Sequence, residues 1–371
     1  MENQGIRRTP LYEFHARHGA KFVDFAGWEM PVQYDAGILK EHLATRQDAG
    51  LFDVSHMGEF LVSGDQATSC VDQLITNDLA GIAPGQAVYS PMCNESGGVV
   101  DDLILYKISE TSIFICCNAS NTAKVGLWLE TQLANSTCKV EDQSGQYAQL
   151  AVQGPNACGI IGKFLPEGTA LPNKFRFLQL DILGTPCLLS RTGYTGEDGV
   201  EIYLPPEHAE SMATSILDAG TSSGLVPVGL GARDSLRLEA GFPLFGHEIS
   251  ETRSPLEGGI GWTVKFNKPV GFVGKERLHA SKKGASTSQT FHFVTQDKRI
   301  AREGTPLFLE GVQVGHVLSG SFSPILQRGI GSASLGHPTL PGPGIVAKVR
   351  EKEIRIFPAK PPLHKTQVPS S

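Results

Sequence analysis

Between Gly97 and Tyr106 the chain reads Gly-Gly-Val-Val-Asp-Asp-Leu-Ile-Leu-Tyr, which sets two adjacent carboxylates, Asp101 and Asp102, inside an otherwise apolar strand. Successive side chains of an extended chain face opposite ways, so the two acids cannot share a face or work as a dyad. A sheet that accepts this strand is expected to present a cavity to one of them. That requirement constrains the fold more than any other run in the sequence.

Around it, short strand-like runs alternate irregularly with amphipathic helices, and 42 glycines and 23 prolines supply the turns. The pattern is α+β rather than a regular βαβ repeat. Helices are expected from Ile38 to Ala49 with Gly50 as a C-terminal cap, after Asp65 as an N-cap, from Asn121 to Ala134, over 207–219, and over 230–240 closed by Gly241. Strands are expected over Gly58–Ser63, Val88–Met92, Val99–Lys107 and Ile113–Cys117, with the turn Asn94–Gly98 making a hairpin just before Asp101. A polar stretch, Ser281–Ser288, reads as a linker, and nearly everything beyond it is strand and turn. Leu307–Gly315 has a hairpin pattern, and Ile345–Arg350 is expected to pair with Glu353–Phe357.

At 371 residues, 40% of them hydrophobic, the chain can bury large cores and divide into two or three domains. A net charge of −6 provides no basic field for nucleic acid or an anionic membrane. No stretch approaches the roughly 20 apolar residues of a membrane span, and no apolar segment follows Arg7 and Arg8 as a signal peptide requires. The reading is a soluble, cytoplasmic protein. Seven cysteines, with no Cys-x-x-Cys spacing, argue against a disulfide framework or a metal site. Cys116 and Cys117 read as small hydrophobes of a buried strand.

Two further clusters depart from a purely structural sequence. Gly193–Ile202 holds three glycines, Tyr194 and three carboxylates, of which Glu201 sits between Val200 and Ile202 inside the strand itself. It is the second candidate for a buried carboxylate, set against a bland reading as a hairpin with solvated acids. In Gly229–Gly241, Arg233 and Arg237 share a helix face, and Arg233 lies near the helix start, where it opposes the macrodipole. An arginine so placed serves a distant partner; the alternative is a surface ion pair with Asp234 or Glu239. No phosphate-binding loop, complete Gly-x-Gly-x-x-Gly motif or Gly-x-Ser-x-Gly elbow is present. His56, with no acid at motif spacing, reads as a satisfied structural histidine.

Taken together, the runs Phe25–Tyr34, Phe52–Met57, Gly97–Asp102, Gly193–Glu197 and Gly229–Gly241 resemble, in order and spacing, the glycine cleavage T-protein family of aminomethyltransferases. The resemblance covers about residues 9 to 365. It implies an α+β protein of three domains in a cloverleaf around a central folate funnel. The domains would be 1–55 plus 140–280 as the folate-binding body, 56–139 as an inserted α+β domain carrying Asp101, and 281–371 as a small β-barrel. The implied reaction takes an aminomethyl group from the lipoyl arm of H-protein, releases ammonia and gives 5,10-methylenetetrahydrofolate and dihydrolipoyl H-protein. Tetrahydrofolate is the co-substrate, with no metal, flavin or nucleotide. Glycine dehydrogenase (P-protein) and dihydrolipoyl dehydrogenase (L-protein) act in the same system.

By position in the family motifs, Asp101 resembles the catalytic carboxylate near the folate nitrogens, with Asp102 structural on the opposite face. Glu201 would meet the 2-amino-4-oxo edge of the pterin, where adjacent N–H donors match a carboxylate. Tyr194 would line the same pocket, and Arg233 matches the family's functional arginine. Tyr89, Tyr106, Asn118 and Met57 are further candidates for ring contacts. Lys365 stands where relatives carry an arginine or tyrosine, as a point charge without a bidentate fork. The alternatives on the same fold are a folate-dependent demethylase of a sulfonium compound and a non-catalytic folate-binding protein.

Overall fold

The structure, a computed structural model, describes residues 5–283, 288–336, 339–350 and 352–366. The chain forms two compact units. One comprises the residues up to Asp72, Asp78–Tyr89 and Leu103–Arg233; the other comprises Gln73–Asn77, Ser90–Asp102 and the chain from Asp234 onward. The architecture is α+β, as the mixed pattern of runs requires.

In the first unit, a six-stranded sheet has the order Phe177–Ile182, Thr185–Ser190, Gly199–Leu204, Ala148–Gln153, Ala49–Asp53, Leu225–Pro227. Its pairs are antiparallel except the last, where Leu225–Pro227 runs parallel to Ala49–Asp53. Leu51, Leu150, Val152, Val200, Ile202 and Leu204 pack with Ile160, Ala213 and Ile216 of the helices Ala157–Gly162 and Ala209–Gly220. Alternation then turns Glu201, Tyr203, Gln149 and Ala151 to the other face.

That other face meets a five-stranded sheet ordered Gln86–Cys93, Val99–Ser109, Ser112–Cys117, Gly58–Ser63, Lys139–Asp142. The junction is an aromatic cluster in which Tyr106, Phe114 and Cys116 pack against Phe177, Leu188 and Tyr203. The helix Thr122–Leu133 covers the far side, where Gly126 leaves room for the Phe60 ring at 3.1 Å from its missing Cβ.

In the second unit, six strands close a barrel in the order Ser288–Thr295, Arg328–Gly336, Val312–Ser323, Pro306–Leu309, Val346–Val349, Lys352–Ala359. The expected all-β C-terminal domain is therefore present, and Phe293, Leu307, Val317, Ala333 and Ile356 fill it. Leu309 pairs with Val312 across Glu310 and Gly311, both at positive φ, the geometry of a two-residue hairpin turn.

Three local expectations change. The helix Ile38–Gln47 stops short of Gly50, which lies inside the strand Ala49–Asp53. Gly50 answers to close packing rather than to a cap: a Cβ there would stand 2.6 Å from Thr45 Oγ1 and 2.7 Å from Val228 Cγ2. The next helix starts at Ala67, whose N–H bonds the carbonyl of Gly64, two residues after the expected Asp65 cap. Of the expected linker, Ser281–Lys283 ends the helix Lys275–Lys283, 284–287 lie outside the described residues, and Ser288 opens the first barrel strand.

Candidate active site

Glu201 lies at the centre of the polar group in the first unit. It pairs across the sheet with Ala151 and is 7% exposed. Gln149 donates from Nε2 to Glu201 Oε1 at 3.3 Å and to Tyr203 Oη at 3.0 Å, and Thr192 Oγ1 donates to the second carboxylate oxygen. Tyr106 Oη stands 3.1 Å from Tyr203 Oη and 3.4 Å from Thr192 Oγ1. Burial raises the pKa of Glu201, and the Thr192 hydrogen bond and then the charge of Arg233 work against that rise.

Arg233 enters from the first turn of the helix Leu230–Ala240, and its guanidinium lies over the Tyr194 ring, 4.7 Å from the centroid. Its pKa is lowered by burial, with Tyr194 and Glu201 opposing the shift. A guanidinium nevertheless keeps its charge, so the site holds a fixed cation beside an aromatic face and a carboxyl.

The turn that carries Tyr194 is held by Gln153. Its Nε2 donates to the carbonyls of Thr192 and Val200 at 3.1 and 3.2 Å, and its Oε1 accepts from Thr195 Oγ1 at 3.1 Å. A Cβ on Gly193 would fall 1.9 Å from Gln153 Oε1, so only glycine allows this brace. The other two acids of the motif form ion pairs. Glu197 meets Arg46 at 2.8 Å, and Asp198 takes two contacts from Arg191, at 2.6 and 3.1 Å. Glu201 alone of the three is turned to the buried polar group.

The segment after Asp53 completes this side of the site. Met57 packs against the aromatic cluster. His56 is 3% exposed, edge-on to Phe25 at 5.6 Å, and its Nδ1 has no hydrogen-bond partner. The reading of His56 as a satisfied histidine is thus corrected. Burial lowers its pKa to about 4, with Arg233 adding to the effect and Asp53 opposing it, so the ring is neutral at pH 7.

Within the first unit the structure brings together Glu201, Tyr194, Arg233, Tyr106 and Met57. Tyr89 and Asn118 are half-buried, at the strand Gln86–Cys93 and just after Ser112–Cys117. Gln149, Gln153, Thr192 and Tyr203 were not singled out from sequence. The signal was present: Gln149 and Gln153 stand at inward parity in an apolar strand, an unexpected place for amides.

The second unit holds Asp101, Asp102 and Lys365. The expected hairpin forms, with Asn94 Oδ1 accepting from the N–H groups of Ser96 and Gly98 and Asn94 Nδ2 donating to the Glu251 carbonyl, each at 3.0 Å. A Cβ on Gly98 would lie 1.8 Å from that carbonyl oxygen, and Val99 N–H bonds Ser250 at 2.7 Å. Asp101 is fully buried on the strand face of Leu103 and Leu105. Asp102, half-buried, shares its face with Ile104 and Tyr106. Lys365 is exposed in the short turn Leu363–Lys365. Arg237 is 2% exposed and bonds Glu248 at 3.1 Å, Asp234 at 2.9 Å and Ser319 at 3.0 Å, so it is a core ion-pair residue and not a surface one.

Among the described residues no group of three or more His, Cys, Asp or Glu side chains is placed to hold a metal ion. Residues 11–268 match the GCVT N-terminal domain family, and 289–365 match the glycine cleavage T-protein C-terminal barrel domain family. The chain is 45% identical over 369 residues to an aminomethyltransferase of Desulforamulus reducens, covering 98% of this chain and 100% of that protein. It is 48% identical over 325 residues to one from Desulfitobacterium hafniense, 88% of each chain. The crystal structure of glycine cleavage system aminomethyltransferase T from Bartonella henselae superposes with a TM-score of 0.89 at 33% identity, over 97% of this chain and 98% of that one.

Proposed function

We propose a reaction for this chain that starts from its place in the glycine cleavage T-protein family, to which it belongs as an aminomethyltransferase. An aminomethyl group on the lipoyl arm of H-protein loses ammonia, and its carbon passes to tetrahydrofolate. The products are 5,10-methylenetetrahydrofolate and the dihydrolipoyl protein. P-protein and L-protein act before and after it in the cytoplasm. No helix among the described residues is long and apolar enough to cross a membrane.

The residues fit folate. Tetrahydrofolate supplies the nucleophilic nitrogens N5 and N10 that take up the carbon. The single observation that carries this reading is Glu201, a buried carboxyl fixed by Thr192 and Gln149 with Arg233 near enough to affect its ionisation. A carboxylate held there binds the paired N–H donors of a pterin edge, and charge-assisted hydrogen bonds of this type are about twice as strong as neutral ones. Tyr194, pinned under Arg233, offers a ring face to the pterin. Tyr106 braces the pocket from behind, since its hydroxyl is already held by Tyr203 and Thr192. By position in the family motifs, Met57, Tyr89 and Asn118 are ring contacts and Lys365 reaches folate.

A second carboxylate must orient N5 and N10 and stabilise the positive charge that develops on the carbon unit. Family motif position points to Asp101. Asp101 is fully buried on its strand, and Asp102 is half-buried on the opposite face. We assign the role to Asp101 on that motif position, with Asp102 as a structural residue of the same strand.

The test supplies the purified chain with aminomethyl-loaded H-protein and follows ammonia and methylenetetrahydrofolate, with and without tetrahydrofolate. Folate-dependent turnover is expected. Tight folate binding without turnover would overturn the proposal and direct the next assay to sulfonium methyl donors.

A further inference from the structure

The strand Gly58–Ser63 carries a carboxyl that the reaction above does not use. Glu59 is 1% exposed, and neither of its carboxyl oxygens has a hydrogen-bond partner. Its backbone is fully engaged: Ser144 Oγ accepts its N–H at 3.0 Å, and its carbonyl accepts the N–H of Gln143 at 2.8 Å. The side chain is therefore the only unmatched part of the residue.

Register fixes where that side chain lies. Glu59 stands directly opposite Cys116, and Leu61, two residues on, packs in the aromatic cluster with Phe114, Tyr147 and Tyr203. Phe60, between them, faces the helix on the other side. Cys116 Sγ donates to Gln149 Oε1 at 3.7 Å, and Gln149 in turn donates to Glu201. One side chain thus separates Glu59 from the Glu201 group.

The ionisable groups around it are Asp142 on the neighbouring strand, Tyr147 and Cys116. Burial, and after it the charge of Asp142, raise the Glu59 pKa well above the usual carboxylate range. In its acid form the group offers one O–H donor and one carbonyl acceptor. Leaving both buried and unmatched is unfavourable, and an apolar residue of the same size would suit the aromatic cluster better.

We propose that Glu59 is a ligand-binding residue of the folate pocket, whose carboxyl pairs with a heterocycle edge that carries an acceptor beside an N–H. Its O–H donates to the ring nitrogen or carbonyl oxygen, and its C=O accepts the adjacent N–H. This is complementary to Glu201, which as a carboxylate accepts from two donors. The proposal rests on the reading of this site as a folate pocket.

The experiment compares wild type, Glu59→Gln and Glu59→Met by calorimetric titration with tetrahydrofolate from pH 6 to pH 9, with thermal unfolding measured without ligand. Glu59→Met is expected to unfold at a higher temperature and to bind folate about three- to tenfold more weakly, the loss of one neutral hydrogen bond. Wild-type affinity is expected to fall as pH rises through the Glu59 titration. Glu59→Gln, which keeps an N–H and a C=O, is expected to bind nearly as well with that fall removed. Wild-type affinity in Glu59→Met overturns the proposal. If the wild-type chain binds no tetrahydrofolate, the folate reading fails first and takes this assignment with it.

Discussion

Asp53→Asn tests whether one buried charge holds the segment that leads into His56 and Met57. Asp53 ends a central strand, where its Oδ2 accepts from Thr9 Oγ1 at 2.6 Å and pairs with His15 Nε2 at 2.8 Å. Its Oδ1 accepts the Ser55 N–H at 2.9 Å, fixing the step into His56 and Met57. On the far side of the imidazole, Tyr34 Oη lies 2.9 Å from His15 Nδ1. Burial by itself would raise the Asp53 pKa, but hydrogen bonding and charge from His15, with Ser55 and Thr9, bring it from 3.8 down to about 2.

The sign follows from that direction. A folded-state value below the unfolded one contributes stability that is fully present above about pH 4 and is lost as pH falls toward 2. The difference corresponds to about 2.5 kcal/mol at pH 7 and to about half of that at pH 3, from 1.36 kcal/mol for each factor of ten. Asparagine cannot ionise, so the variant should be about 2 to 3 kcal/mol less stable at pH 7, with the gap to wild type narrowing by about 1 kcal/mol at pH 3. Urea unfolding at matched ionic strength across pH 3 to 7 measures both quantities. A gap that stays constant with pH would refute the ionic account of this network.

Asp101→Asn should abolish methylene transfer while leaving folate affinity within a few fold, and Asp102→Asn should change turnover little; the reverse pattern in paired assays moves the catalytic role to Asp102. Glu201→Gln should weaken tetrahydrofolate binding by about ten- to a hundredfold, the scale of a lost charged hydrogen bond, without lowering the unfolding temperature, because a buried charge is removed. Gly98→Ala should reduce soluble yield or unfold early, since its Cβ would sit 1.8 Å from a backbone oxygen that cannot rotate away. Arg237→Met should cost about 3 to 5 kcal/mol by leaving Glu248 buried at 1% exposure without its cation, measured by denaturant unfolding.

Much of the fold was legible because it rests on local chemistry. The hairpin at Asn94–Gly98 formed as expected because the Asn side chain and a glycine at φ 80° encode that turn within five residues. The helix over Thr122–Leu133 and the barrel strands followed from periodicity. Gly50 misled because a glycine after a helix reads as a cap, while its real constraint comes from Val228, far along the chain. Glu201 stood out within its motif, but its partners Gln149 and Thr192 come from separate strands and turns.

The sequence by itself determined the element types, the family motifs and the rule that Asp101 and Asp102 face apart, since these depend on spacing and backbone geometry alone. Only the tertiary structure decided which face is which. It leaves His56 and Glu59 buried with atoms unmatched, and draws Arg233 over Tyr194. Burial and hydrogen-bond partners belong to the packed assembly of strands, and no single segment contains them.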